Sequence, residues 1–130
     1  MSSDEGKILI ILSNRAPVRV CHDEWPIIAH ATETRQERDG DPGTIARYKL
    51  YVRQHSDGRA IVYGSYALSS ASRWARHYDA GLLSRSEEIP ATIEAVATDL
   101  ERLSDADPWD HQVFPGLARR CIASLPPVDL

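Results

Sequence analysis

The stretch that decides the fold is Tyr48-Lys49-Leu50-Tyr51-Val52-Arg53-Gln54-His55-Ser56-Asp57-Gly58-Arg59-Ala60-Ile61-Val62-Tyr63-Gly64-Ser65-Tyr66. Two runs rich in β-branched and aromatic residues flank Asp57-Gly58, a dipeptide typical of a tight turn between antiparallel strands. We therefore expect a central β-hairpin at about 48–66, with a two-residue type I′ loop and with Gly58 at positive φ.

The position of the loop predicts which side chains share a face of the sheet, because directly opposed residues lie on the same face. A two-residue loop places Ser56 opposite Arg59. The pairs that follow are Gln54–Ile61, Val52–Tyr63, Leu50–Ser65 and Tyr48–Ala67. We expect this mostly apolar face to look into the core. A slip of one residue in the register would exchange the two faces.

The remaining residues of the hairpin form the expected outer face, which mixes cations with aromatic rings. They are Lys49, Tyr51, Arg53 and His55, opposite Tyr66, Gly64, Val62 and Ala60. Proteins that bind single-stranded nucleic acid stack bases on aromatic rings while cations follow the phosphates. One interpretation is a nucleic-acid-binding surface made by Lys49, Tyr51, Arg53, His55 and Tyr66. The alternative is an ordinary solvated sheet face of long amphipathic side chains.

Length and composition favour one soluble α+β domain at residues 7–130, preceded by a disordered tail at residues 1–6. The chain has 130 residues, of which 42% are hydrophobic and 26% charged, with a net charge of −4. The apolar run at residues 8–12 is far too short to span a bilayer. The polar, acidic start argues against a secretory signal peptide. Cys21 and Cys121 belong to no spaced motif, so we expect a cytoplasmic protein with reduced thiols.

The rest of the chain predicts strands before the hairpin and helices after it. Strands are expected at residues 7–12, 18–20 and 27–36, and a polar loop at 37–43. Residues 69–78 are typical of a loop or short helix, and 81–83 of an edge strand.

The helical part begins at Pro90, where Ile93, Val96, Ala97, Leu100 and Leu103 recur at helical spacing. Asp107-Pro108 favours a second helix start, and a last helix is expected near Pro115. Its apolar stripe would be Leu117, Ala118, Cys121, Ile122 and Leu125. The order predicts an antiparallel sheet with helices packed on one face.

Charge is distributed unevenly along the chain. Residues 86–110 carry eight acidic side chains against Arg102 alone, whereas residues 1–85 carry a small excess of basic ones. The acidic segment is either the solvated face of a helix or a surface that docks on a basic partner. For the second interpretation the contact residues would be Glu87, Glu88, Glu94, Asp99 and Glu101.

Three groupings of residues were weighed as chemical sites. His22-Asp23-Glu24 suits acid–base chemistry or a hard metal, or else a turn rich in capping residues. Asp107, Asp110 and His111 would share a helix face that holds a metal, or else complement the helix dipole. Cys21 and His22 are sequence neighbours, but a catalytic pair must meet in space. The sequence contains no nucleophile elbow, phosphate-binding loop or zinc-ligand spacing. We therefore expect no enzyme activity, catalytic residue, cofactor or metal.

Two strings resemble segments of small uncharacterised proteins from proteobacterial phages, prophages and plasmids. They are Glu24-Trp25-Pro26-Ile27-Ile28-Ala29 and residues 52–64. Small acidic proteins of such elements include anti-CRISPR proteins, which bind and block a CRISPR effector. The resemblance implies a non-enzymatic, anti-CRISPR-like inhibitor that docks on a basic, nucleic-acid-binding surface of a host defence complex. The alternatives are a nucleic-acid-binding accessory protein and, with least support, a small enzyme.

Overall fold

A computed structural model describes residues 6–38, 41–70, 75–104 and 113–127, and the description below concerns those residues. The strands are β1 (Lys7–Ile10), β2 (Val18–Cys21), β3 (Ile27–Arg38), β4 (Asp41–Gln54), β5 (Arg59–Ser69) and β6 (Ala75–Arg85). A 3₁₀ turn (Ser86–Glu88) leads into helix α1 (Ile89–Leu103), and helix α2 (Val113–Ala123) follows.

The architecture is α+β with antiparallel sheets, as the sequence predicted. Strands β3, β4, β5 and β6 form one sheet in chain order, and β1 pairs with β2 as a separate two-stranded ribbon. The helices pack on one face of the large sheet, where α1 contributes Ile93, Val96 and Leu100 to the core. Phe114 of α2 packs edge-on against a pair of tyrosines, with its ring centroid 5.4 Å from that of Tyr48 and 5.7 Å from that of Tyr66.

The ribbon covers part of the opposite face of the sheet, an arrangement that the sequence did not predict. Ile10, Leu12 and Val20 pack with Ile61 of β5 in a second buried cluster. The ribbon is fixed to the edge strand β6, because the Ser13 N–H donates to the Gly81 carbonyl at 2.8 Å and the Gly81 N–H donates to the Ser13 hydroxyl at 3.1 Å. The sheet is therefore covered by helices on one side and by the ribbon on part of the other.

The loop of the β4–β5 hairpin contains three residues, Ser56, Asp57 and Gly58, so the two-residue type I′ loop was wrong. The Gly58 N–H donates to the His55 carbonyl at 3.0 Å, and the His55 N–H donates to the Arg59 carbonyl at 2.8 Å. Gly58 has φ of 94°, which confirms the positive φ. This is the geometry of a turn followed by a left-handed glycine.

The extra loop residue shifts the register by one and exchanges the faces of β5. Val52 lies opposite Val62, and Tyr48 lies opposite Tyr66. Tyr66 was expected on the outer face but is buried in the core, whereas Tyr63 was expected in the core but lies on the outer face. The inward direction of Tyr48, Leu50 and Val52 on β4 is confirmed, and all three are fully buried.

Long strands replace most of the predicted connections. The loop expected at 37–43 was wrong at residues 37–38 and 41–43, which belong to β3 and β4 with Arg38 opposite Asp41, and residues 39–40 lie outside the described part. Residues 75–78 belong to β6, which makes the loop or helix there wrong, while residues 71–74 lie outside the described part. The edge strand at 81–83 is confirmed as part of β6.

The helices agree more closely with the sequence. Helix α1 carries the predicted stripe, except that Leu103 is 47% exposed. Helix α2 begins at Val113, two residues before Pro115, and buries Leu117, Ala118 and Cys121. The helix start at Asp107-Pro108 falls outside the described residues, as do residues 1–5 of the tail. Gly6 is hydrogen-bonded to His22.

Candidate functional site

The predicted acidic contact residues, here called the acidic helix surface, are Glu87, Glu88, Glu94, Asp99 and Glu101. Glu87 and Glu88 stand exposed on the 3₁₀ turn before α1, and Glu94 is exposed one turn into the helix. Among the described residues, none of these three carboxylates forms an ion pair or side-chain hydrogen bond. These three exposed carboxylates therefore lie on the 3₁₀ turn and on the N-terminal half of α1 without a described cationic partner.

The other two members of the acidic helix surface lie in different surroundings. Asp99 accepts a hydrogen bond from Arg102 at 2.6 Å, and its side chain is 16% exposed. Glu101 lies seven residues after Glu94 and so shares its flank, which faces α2. Glu94 and Glu101 line a groove of about 370 Å³, whose opposite wall carries Arg119. Asp99 therefore lies on a different flank of α1 from Glu94 and Glu101.

The predicted basic–aromatic set is separated by the fold. Arg53 donates from Nε to the Tyr63 hydroxyl and from Nη1 to the Trp25 carbonyl, both at 2.8 Å. These bonds hold the guanidinium between the hairpin and the turn before β3. Tyr66 is buried in the core, and His55 lies beside the hairpin loop. Of the predicted set, Lys49 and Tyr51 therefore remain together on the outer face of the sheet.

His55 lies at the opposite end of the hairpin, beside the loop. Its Nδ1 is 3.1 Å from Asp57 Oδ1, its Nε2 is 3.8 Å from Glu24 Oε2, and its ring centroid is 5.1 Å from that of Trp25. The N–H of Arg59 and its guanidinium donate to Asp57 and lower the pKa of that carboxyl. His55 therefore belongs to the network that orders the loop.

Sheet pairing assembles a different cation–aromatic group around Lys49 and Tyr51, here called the open sheet face: His30, Arg47, Lys49, Tyr51 and Tyr63. The rings of Tyr51 and Tyr63 stack with centroids 5.4 Å apart, and His30 lies 6.4 Å from Tyr51. Arg47 and Lys49 are exposed on the same face of β4. The correct loop length would have revealed Tyr63 on this face, and extending β4 back before Tyr48 would have revealed Arg47. His30 could be found only from the pairing of β3 with β4.

Among the candidate chemical groupings, His22 has contacts within the described part of the chain. His22 bonds through Nδ1 to the Gly6 carbonyl at 2.6 Å and through Nε2 to Asp23 at 3.2 Å. Within residues 6–38, 41–70, 75–104 and 113–127, no three His, Cys, Asp or Glu side chains are placed to hold a metal ion. Asp107, Asp110 and His111 lie outside these residues. Burial raises the pKa of the Cys121 thiol to about 11, so this thiol is protonated at neutral pH.

Comparisons with known proteins identified no relative of this chain, so the functional assignment rests on the geometry of the molecule. No protein family, curated protein or solved structure matches the chain. No helix in the described ranges is both long and apolar enough to cross a membrane.

Proposed function

We propose that the protein is a non-enzymatic, cytoplasmic inhibitor that docks its acidic helix surface on a basic, nucleic-acid-binding surface of a host defence complex. The observation that carries the proposal is the group of exposed carboxylates at Glu87, Glu88 and Glu94, which lack a cationic partner among the described residues. Like charges on neighbouring residues repel each other in the free protein. They become favourable when a surface of opposite charge meets them.

A nucleic-acid-binding surface is the partner surface that suits these carboxylates. Such surfaces carry lysine and arginine side chains that contact phosphates. A protein that presents exposed carboxylates there competes with the nucleic acid for the same cations. The resemblance of residues 24–29 and 52–64 to segments of phage proteins makes a CRISPR effector the partner to test first.

The proposal is tested by titrating the purified protein into a panel of proteobacterial CRISPR effectors and measuring how tightly each binds its DNA target. We expect at least one effector to lose DNA affinity. The triple variant Glu87→Lys/Glu88→Lys/Glu94→Lys should weaken that inhibition about 100-fold, because like charges facing each other across an interface cost several kcal/mol. The matched control is Arg47→Glu/Lys49→Glu, which reverses charges on the open sheet face and should leave the inhibition nearly unchanged.

The proposal is wrong if no effector in the panel loses DNA affinity, or if the triple variant inhibits as well as the unaltered protein. Circular dichroism of each variant establishes that it is folded before its inhibition is compared.

A second candidate function is nucleic-acid binding by the open sheet face. It is supported by the stacked rings of Tyr51 and Tyr63 beside the exposed cations Arg47 and Lys49. A gel-shift titration with single- and double-stranded DNA and RNA at two salt concentrations tests it. Micromolar binding that falls steeply with salt and is lost in Arg47→Glu/Lys49→Glu would favour this function over the first.

A further inference from the structure

Two adjoining hollows lie at the end of the sheet that carries the 55–59 loop. The first has a volume of about 640 Å³ and is bounded by Asp23, Glu24 and His55, among others. The second has a volume of about 470 Å³ and is bounded mainly by apolar residues. Ile28, Gln54 and Ser86 line both hollows, so the two lie side by side, and together they are here called the end groove.

The first half of the end groove is acidic, and its charges come from distant parts of the sequence. Asp23 and Glu24 lie in the turn before β3, whereas Glu87 of the second half lies in the 3₁₀ turn before α1. The described residues that line the two hollows include no lysine or arginine, and their one imidazole is that of His55, whose Nε2 lies 3.8 Å from Glu24 Oε2. Nearby Arg59 is bound to Asp57 at 2.7 Å and lies over the Trp25 ring, so its charge is matched.

The second half of the end groove is apolar. Ile28 and Leu125 are partly buried against the main core, and Ile89, Pro90, Pro126 and Pro127 complete the lining. Where the two halves meet, the Gln54 side chain donates to the Ser86 hydroxyl. The Ser86 hydroxyl in turn donates to the Gly58 carbonyl at 3.0 Å, so this pair is fixed at the junction of the two halves.

We propose that the end groove binds an extended segment of a partner protein in which a lysine or arginine adjoins an apolar residue. The cation lies between Asp23 and Glu24, and the apolar side chain lies over Leu125 and Pro127. This inference rests on the proposed function, since Glu87 belongs to both surfaces, and it specifies which element of a basic partner the protein grips. Charge complementarity excludes nucleic acid as the occupant, because phosphates would face Asp23, Glu24 and Glu87.

The probe is a fluorescein-labelled peptide with capped ends, Gly-Lys-Leu-Lys-Leu-Gly, and the measurement is fluorescence anisotropy with the full chain. We expect micromolar binding. Replacing both leucines of the peptide by serine should weaken binding about tenfold, and replacing both lysines by glutamate should abolish it. If the serine peptide binds as tightly as the leucine peptide, the binding is a nonspecific polycation effect and the proposal is wrong. The proposal is also wrong if the leucine peptide does not bind.

The site is located with two matched charge reversals, Glu24→Lys in the groove and Glu94→Lys on the helix, which alter the net charge equally. Glu24→Lys should weaken the peptide about tenfold and Glu94→Lys less than about twofold, because only Glu24 faces the bound cation. Equal losses in the two variants overturn the proposal. If the peptide fails to bind while the triple charge reversal on the acidic helix surface still abolishes inhibition of an effector, the proposed role of the end groove is wrong and the proposed function stands.

Discussion

The contact between Gly81 and the ribbon permits a sharp test of the fold, through the substitution Gly81→Ala. A Cβ atom at this position would lie 2.6 Å from the Ile11 carbonyl oxygen and 3.1 Å from both Leu12 Cδ2 and Tyr63 Cβ. To reach the 3.4 Å of ordinary contact, the ribbon must move away from β6 by about 0.8 Å. Overpacking of this kind costs about 1–3 kcal/mol, and the two Ser13–Gly81 hydrogen bonds would be weakened as well. We therefore expect the free energy of unfolding to fall by about 2–4 kcal/mol.

The assay is urea denaturation followed by circular dichroism, and the matched control is Gly116→Ala in α2. Among the described residues, a Cβ at Gly116 would meet only the end of the Arg119 side chain, at 3.8 Å. Because alanine has the higher helix propensity, Gly116→Ala should raise stability by about 0.5–1 kcal/mol. A Gly81→Ala variant within about 0.5 kcal/mol of the unaltered protein would refute the packing of the ribbon on β6.

Three further predictions concern the hairpin, the buried thiol and the fixed guanidinium. Gly58→Val should lower the free energy of unfolding by about 1 kcal/mol or more in urea titrations, because a β-branched residue resists a φ of 94°; no change would contradict the loop geometry. The pKa of Cys121 is raised from 9.0 to about 11, so the unfolded chain loses its thiol proton first and stability should fall between these pH values, by up to about 1.4 kcal/mol per pH unit. Cys121→Ala should lose that slope, and retention of the slope would refute its assignment. Arg53→Lys should lower stability by about 1–2 kcal/mol, since lysine cannot keep both bonds, and a loss under about 0.5 kcal/mol would contradict the structural role.

The helices and the inward face of β4 were predictable because their signals are local. The stripe from Ile93 to Leu100 has helical spacing, and Tyr48, Leu50 and Val52 alternate along one strand. Which side chains of β5 face the core depended on one loop residue. Ser56 joins Asp57 and Gly58 in the loop, and this shifts the register of β5 against β4 by one residue. Asp-Gly is compatible with both loop lengths, so the dipeptide did not decide between them.

The ribbon and the strand ends depend on contacts between distant segments. Leu9 is 58% exposed and Ile10 only 2%, because the ribbon lies over one face of the sheet and is open on its other side. The apolar run 7–12 indicated a strand but not which strand it would cover. Aspartate is depleted in strands, yet Asp41 is the first residue of β4 and pairs with Arg38 of β3.

The candidate surfaces were predictable in part. The exposure of Glu87, Glu88 and Glu94 follows from an amphipathic helix and the turn before it. That Glu24 and Glu87 line adjoining hollows could not be read from the sequence, because it requires the turn before β3 and the start of α1 to lie at the same end of the sheet. Arg53 gives no sign in the sequence of its bonds to Tyr63 and Trp25.

The most direct test of the acidic docking surface is carbodiimide labelling of carboxylates, read by mass spectrometry, in the free protein and in its complex with an inhibited effector. The account predicts that Glu87, Glu88 and Glu94 are labelled in the free protein and protected in the complex. Asp79, at the opposite face of the sheet, should be labelled equally in both. Unchanged labelling of the three glutamates, with protection of Lys49 from acetylation in the same complex, would contradict it.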